Sequence, residues 1–370
     1  MNVYLDRYIP PDLPDFQPVF HTYKGVVHFH SVYSDGGGDF DRIIEAAVNT
    51  GTEFLISADH HTYEPLKAGE EGYRQGVLTI VGNEISTEIG HIFYVHPDNG
   101  IADIPVDSIF PKFADPYISR GTFITAHPFL PKRPFTQWSW SGYSGFELFN
   151  SDYEWRNDSP FELIQTLTAY PFIQSALNFL ADTPERGLAK LDSILAYRPC
   201  VITGAGDVHA KIKITRTRSI AFPSYERGFR TMQTCIQTIE PFTGNFTEDK
   251  SKLISLLRRG SAYAAAGGFC DPSGFNFYTK TGTGTHTMGD TVSITESPIL
   301  VISVPDTTGI RVVLKKDGKT LLETEEWFTE YEIRDPGVYR TEVYQKRRKL
   351  PFLTVSNRPW IFSNPIYIVN

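Results

Sequence analysis

The sequence predicts an α/β protein whose mainly parallel sheet closes into a barrel, followed by a small all-β antiparallel sandwich. Three observations predict it. Apolar runs such as VVHFH, EFLIS, VLTIV, IFYV, TFITA and CVITG alternate with helical or turn-rich stretches, the pattern of a parallel sheet covered by helices. Most of these runs start or end in a nitrogen or oxygen ligand, as expected where the strands of a parallel barrel share one rim. From about residue 271 helical periodicity gives way to short β-rich runs separated by turn residues.

The elements follow in order. A proline-rich arm, residues 1–22, precedes a barrel domain over 23–268 and a sandwich over 269–370. The first helix should be capped by Asp39 and run through FDRIIEAAVNT to Gly51, with Phe40, Ile43, Ile44, Ala47 and Val48 at helical spacing. Residues 159–197 read as outer-layer helices broken near Pro171 and Pro184. EDKSKLISLLRR is a further helix stopped by Gly260, and the following SAYAAAGG reads as a last barrel strand. In the sandwich, Lys316-Asp317-Gly318-Lys319 is a hairpin signal, and the basic run at 346–349 reads as an exposed hairpin tip.

A chain of 370 residues, 41% of them hydrophobic, is long enough for two domains with sizeable cores. Its net charge of −8 is the wrong sign for a protein whose main task is holding nucleic acid or an anionic membrane surface. A small-molecule partner is expected instead, and the oligomeric state is not readable. Cys200, Cys235 and Cys270 are few, dispersed and odd in number, so neither a disulfide framework nor a zinc cluster follows. The N-terminus lacks a basic segment followed by an apolar run, and no stretch is long enough to span a bilayer. A cytoplasmic location is expected, or a periplasmic or secreted one if a leader has been removed.

Candidate chemistry begins at GVVHFHSVYSDG. Alternation along a strand puts His28 and His30 on one face with Phe29 on the other, so two imidazoles stand ready to share a cation. An isolated HxH pair is equally well read as core or surface histidines. Later strands add Asp59 and His60, Glu84, His91, His127, and Asp207 with His209. Six of the chain's ten histidines occupy such positions. Convergence at one rim turns these weak signals into one constellation, because buried charges are normally paired or bound to metal.

Glu84 is the pivot, since a carboxylate can bridge two cations. Asp59 reads as a catalytic-site support that orients a ligand, whereas His61 and His96 read as ordinary hydrogen-bonded histidines. Gly36, Gly37 and Gly38 lack a phosphate-loop context and let the turn after Asp35 pass close to the site. Lys132, Arg133, Lys211, Lys213 and Arg216 are candidate anion-binding groups, each weighed against a solvated surface role. Phe129, Phe135, Trp138, Trp140 and Tyr143 either line a substrate pocket or pack a core, and Trp138 is the candidate contact.

HFHSVYSDG, ADHH, VGNE, TAHPF and GDVHA, in that order, resemble the motifs of the PHP (polymerase and histidinol phosphatase) superfamily of metal-dependent hydrolases. GDVHAKIKITRT, SYERGF, LLRRGSAY, DPSGFNF and FSNPIYI are similar to its CehA/McbA-type branch. The resemblance implies a distorted (β/α)7 barrel holding two or three divalent cations, zinc, manganese or iron. His28, His30, Glu84 and Asp207 would hold one metal, Glu84 with His91 and His127 a second, and Asp35, His60 and His209 a third. A metal-bridging hydroxide would then attack a small phosphate ester, with Asp207 steering the proton and the third cation or Arg216 taking up leaving-group charge. The alternative substrate is a carboxylic ester, amide or carbamate of aryl type. A non-catalytic binding module is disfavoured, because a degenerate barrel should have lost ligands.

Overall fold

The computed structural model describes residues 19–215, 218–268, 270–307, 309–348 and 355–370. Most of the expected N-terminal arm, residues 1–18, lies outside the described residues, as does Arg216. Strand β1 (His21–Phe29) leads into helix α1 (Phe40–Thr50). The Asp39 carboxylate accepts the Arg42 N–H at its start and Gly51, at φ 64°, ends it in the left-handed conformation, as its sequence predicts. There follow β2 (Phe54–Ser57), the short helix α2 (Glu64–Lys67), β3 (Gly72–Arg74), β4 (Val77–Thr87), β5 (Gly90–Val95), β6 (Thr122–Ala126) and β7 (Gly145–Asn150). Helices α3 (Ser151–Asn157), α4 (Pro160–Ala169) and α5 (Glu185–Leu195) then lead to β8 (Val201–Val208).

Strands β1, β2, β4, β5, β6, β7 and β8 close into a seven-stranded barrel, with β8 pairing back on β1. β5 runs antiparallel to both neighbours, because Glu88 and Ile89 alone separate it from β4 and so short a link permits only a hairpin. The segment between β6 and β7 also lacks a helix, so βα alternation is interrupted twice. Neighbouring residues of one strand fall into different cores. Val27, Ile56, Ile80 and Ile124 pack inside the barrel with Leu253, Ile254 and Leu257. Val26, Leu55, Val81 and Phe123 face the outer layer with α1.

After β8 come the small hairpin β9 (Ile212–Lys213) and β10 (Ser219–Ile220), α6 (Tyr225–Phe229), β11 (Gln233–Thr238), α7 (Phe246–Arg259) and β12 (Ala262–Ala265). The expectation that SAYAAAGG closes the barrel is corrected here. β1 is long enough to serve two partners: its first half pairs antiparallel with β11 and its second half with β8, which places β12 outside the closed ring.

The C-terminal region comprises β13 (Asn276–Lys280), β14 (Thr285–Thr287), β15 (Thr291–Ser293), β16 (Ile299–Ser303), β17 (Ile310–Lys316), β18 (Lys319–Thr324), β19 (Phe328–Glu332), β20 (Gly337–Arg348), β21 (Val355–Ser363) and β22 (Ile366–Val369). The order β14-β13-β16-β19 makes one antiparallel sheet, while β21, β20 and β22 extend the barrel sheet through β12. Phe277, Leu300 and Ile302 of the first meet Val312, Val343 and Trp360 of the second in one apolar cluster. Asp317 and Gly318, at φ 49° and 75°, turn β17 into β18 as the hairpin signal predicts. Lys346, Arg347 and Arg348 of the basic run end β20, while Lys349 and the rest of the expected tip, through residue 354, lie outside the described residues. Among the described residues no helix is long and apolar enough to cross a membrane.

Candidate metal centre

The nine expected ligands meet at the end of the barrel where β1, β2 and β8 terminate. They fall into three groups, each offering atoms within 4.8 Å of one another: His28, His30 and Asp207; Glu84, His91 and His127; His30, Asp35, His60 and His209. Nε2 of His28 lies 3.1 Å from Nε2 of His30, 3.2 Å from Glu84 Oε2 and 3.4 Å from Asp207 Oδ1. Nε2 of His30 is 3.4 Å from Glu84 Oε2 and 3.2 Å from Asp207 Oδ1. Tetrahedral coordination at bonds of 2.0–2.1 Å gives ligand-to-ligand edges of about 3.3 Å. The separations among His28, His30 and Asp207 therefore fit one small divalent ion, with Glu84 Oε2 beside both imidazoles.

The hydrogen-bond inventory supports the same reading. Asp207 Oδ1, Asp35 Oδ1 and His30 Nδ1 are buried without a hydrogen bond, a costly state for polar atoms unless an ion fills it. The Nδ1 of His28 faces Glu147 and that of His209 faces the Asp207 carbonyl, so protons there leave both Nε2 lone pairs for the cluster. Glu84 Oε1 lies 2.8 Å from His127 Nε2 and 2.5 Å from His91 Nδ1, and Oε2 lies 3.2 Å from His60 Nδ1. One carboxylate thus spans imidazoles of several groups, the geometry of a bridge. His209 Nε2 lies 3.3 Å from Asp35 Oδ1.

Electrostatics follow from this crowding. Burial alone would lower His28, but Glu147, Asp207 and Glu84 outweigh it and hold the imidazole well above its ordinary value. His30 is likewise lowered by burial yet raised to about 9 by Asp207 and Glu84. Burial works to raise Glu84 and Asp207, and the surrounding imidazoles, His28 foremost, reverse it and hold both well below the usual carboxylate range. The metal-free cluster balances its carboxylates with protons, which divalent cations would replace.

Two consecutive residues of β1 point inward. Val27 packs in the barrel interior and the His28 ring stacks on Phe93 from the same core, at 5.9 Å between centroids. A left-handed backbone at His28, φ 67°, with a register shift against β8 between Val27 and Phe29, resets the alternation so that His28 and His30 both face the cluster. His127 and Asp207 also carry positive φ. The glycine turn is packed just as tightly: a Cβ on Gly36 would lie 2.2 Å from the His30 carbonyl, and one on Gly37 2.6 Å from that of Ala210.

The other candidate residues are placed variously around the cluster. Asp59 is buried and grips the turn that carries Asp35, accepting from the Ser31 N–H and the Ser31 and Ser34 hydroxyls, so it acts on that candidate ligand through its loop. Trp138 stacks on Phe129 and meets Phe135 and Phe146 edge-on, while Trp140 meets Phe113 edge-on and Tyr143 is fully buried, so the aromatic loop packs against the outer core. Lys132 is exposed. Arg133 reaches Nε2 of His91 at 3.0 Å, and Lys211 borders the cavity beside Asp207 and His209. His61 and His96 are hydrogen-bonded elsewhere, to Asp107 and Ser86 and to the carbonyls of Asp98 and Tyr117.

Glu147 is a supporting residue that sequence patterning does not single out. It lies on β7, buried, with Oε1 on His28 and Oε2 accepting from the His127 N–H and from Asn150. A lone glutamate inside the apolar run GFELFN was the available signal.

No family model matches the chain. A stretch of 61 residues is 39% identical to phosphoribosyl 1,2-cyclic phosphate 1,2-diphosphodiesterase of Eggerthella lenta, covering 16% of this chain and 23% of that enzyme. The chain thus matches less than a quarter of that relative's length. Among solved structures, a two-domain protein from Bacteroides vulgatus containing a predicted PHP-like metal-dependent phosphoesterase is similar over 97% of this chain and 99% of its own, with 14% identity and a TM-score of 0.46. An amidohydrolase from Chromobacterium violaceum with bound sulfate is similar over 54% of this chain and 92% of its own, with 14% identity and a TM-score of 0.32. Both are distant likenesses.

Proposed function

We propose that the chain is a metal-dependent hydrolase of the PHP type acting on small phosphate esters. The carrying observation is that the Nε2 atoms of His28 and His30 lie 3.1 Å apart and each stands 3.2–3.4 Å from Glu84 Oε2 and from Asp207 Oδ1, with Asp207 Oδ1 buried and unbonded. Glu84 with His91 and His127 would hold a second divalent ion, and Asp35, His60 and His209 a third. When bound, such ions acidify a water and polarise phosphoryl oxygens. Glu147 fixes the His28 ring, Asp59 holds the loop of Asp35, and Glu84 spans the groups. Arg133 beside His91 and Lys211 beside His209 flank the cluster with positive charge that suits an anionic ester. Asp207 stays ionised and is placed to accept a proton once a ligand enters.

Zinc, manganese and iron all accept this mixed nitrogen and oxygen set. The second reading, a carboxylic ester, amide or carbamate hydrolase, draws less support from the aromatic loop, because Trp138 packs against Phe129, Phe135 and Phe146. The barrel is read as a distorted (β/α)7 type and the C-terminal sheets as a sandwich, with the domain division kept at 268/269. The test is metal-loaded protein assayed on nitrophenyl phosphate, its diester and nitrophenyl acetate, with Glu84→Gln as control. Metal-dependent release from a phosphate ester, lost in the variant, is expected. Cleavage confined to the acetate, or unchanged in Glu84→Gln, overturns the proposal.

A further inference from the structure

A cavity of about 420 Å³ opens directly beside the cluster, with Asp35, Asp207 and His209 in one wall. Leu177, Leu180, Ile212, Phe222 and Met232 form much of the rest of its lining. Lys211 is the one basic residue among the lining residues, and the acidic Asp152 and Glu154 stand in the same lining. The size is that of a pocket for a small molecule, and the apolar wall is placed to bury whatever the reacting group carries. A second phosphate or a carboxylate there would be buried against the apolar wall with Lys211 alone among the lining residues to pair with it.

Resting on the phosphoesterase reading, we infer that this cavity is the specificity pocket and that the substrate is a phosphate ester of an uncharged, largely apolar alcohol. Nucleotides and bisphosphates, whose further charges the apolar wall leaves unpaired, are poorer substrates under this reading. The phosphoryl group lies at the cluster, and Leu177, Leu180, Ile212, Phe222 and Met232 take the alcohol portion out of water. Burial of apolar surface then supplies affinity in proportion to chain length until the pocket is full.

The test uses metal-loaded protein and a series of uncleavable alkylphosphonates, methyl to octyl, titrated by calorimetry. Kd should fall by about fourfold per buried methylene, from the transfer free energy of one such group. The series should flatten in Leu177→Gln and Ile212→Gln, and 3-phosphonopropionate should bind more weakly than butylphosphonate. Because the readout is a slope across one preparation, partial misfolding of a variant does not alter it. A flat series in the unaltered protein, a slope that both variants retain, or a preference for the carboxylate-bearing 3-phosphonopropionate overturns the inference while leaving hydrolysis untouched. A steep series in a protein that cleaves no phosphate ester retires the phosphoesterase reading and keeps the pocket.

Discussion

Oε1 of Glu147 lies 2.5 Å from Nδ1 of His28, and the second oxygen of the same carboxylate accepts the backbone N–H of His127 at 2.6 Å. One buried side chain therefore orients candidate ligands carried by two different strands. Carboxylates in this position fix the tautomer of a ligating imidazole and raise its basicity. Glu147→Gln is expected to weaken metal binding by about 10- to 100-fold without unfolding the chain. Metal titration monitored by calorimetry, with circular dichroism as the folding control, checks it.

Glu84 touches five imidazoles through its two oxygens. Glu84→Gln keeps the shape and removes the charge a bridge requires. The variant should retain at least one fewer ion per chain than the unaltered protein, measured by atomic emission after gel filtration. Equal metal content in the two would show that the carboxylate does not bridge.

The held-up imidazoles give metal binding a definite pH dependence. His28 stands well above its ordinary value and His30 at about 9, because nearby carboxylates outweigh the opposing effect of burial. At neutral pH the metal-free cluster carries protons that an incoming ion must displace. Apparent affinity should therefore rise with pH from 6 towards 9, with protons released on binding. Calorimetry in buffers of different ionisation enthalpy measures the number released, and affinity that falls with rising pH would contradict the ligand set.

Glu154, in the lining of the cavity beside the cluster but not among the candidate ligands, offers a stability test. Burial, with Asp182 and Asp158 alongside, pushes its carboxyl up to about 8 from an ordinary 4.5. Between those values the folded chain keeps a proton that the unfolded chain has released, so this group lowers stability as pH rises through the window. Glu154→Gln should gain about 1–3 kcal/mol relative to the unaltered protein at pH 9 and little at pH 4.5. Urea denaturation at the two pH values reads the difference.

Asn364 joins the C-terminal sheet to the barrel. Its Oδ1 accepts the Ile202 N–H at 2.7 Å, and its Nδ2 donates to the carbonyls of Ile202 and Ala262 at 3.0 and 2.8 Å. Asn364→Ala leaves buried backbone groups unsatisfied and should cost about 2–4 kcal/mol. A lowered urea midpoint with an unchanged slope is the expected result.

Local rules made much of this protein legible from residue order. The caps of α1, the breaks at Pro171 and Pro184, the turn at Asp317 and Gly318, and a polar residue at the end of one apolar run after another all depend on neighbours within a few positions. Such short-range signals survive without knowledge of the fold. The nine candidate ligands were visible for that reason.

Folding settled what depends on distant neighbours. Alternation placed His28 and His30 together, but a left-handed kink at His28, found where β1 shifts register against β8, aims both inward. Trp138 and its aromatic neighbours carried the same chemistry whether lining a site or filling a core, and packing against Phe129 and Phe146 chose the core. Glu147 looked like one charged residue in a strand until His28, 119 positions away, came within hydrogen-bond reach. Contacts between residues far apart in the chain form only when the barrel closes, and those contacts distinguish a supporting carboxylate from an idle one.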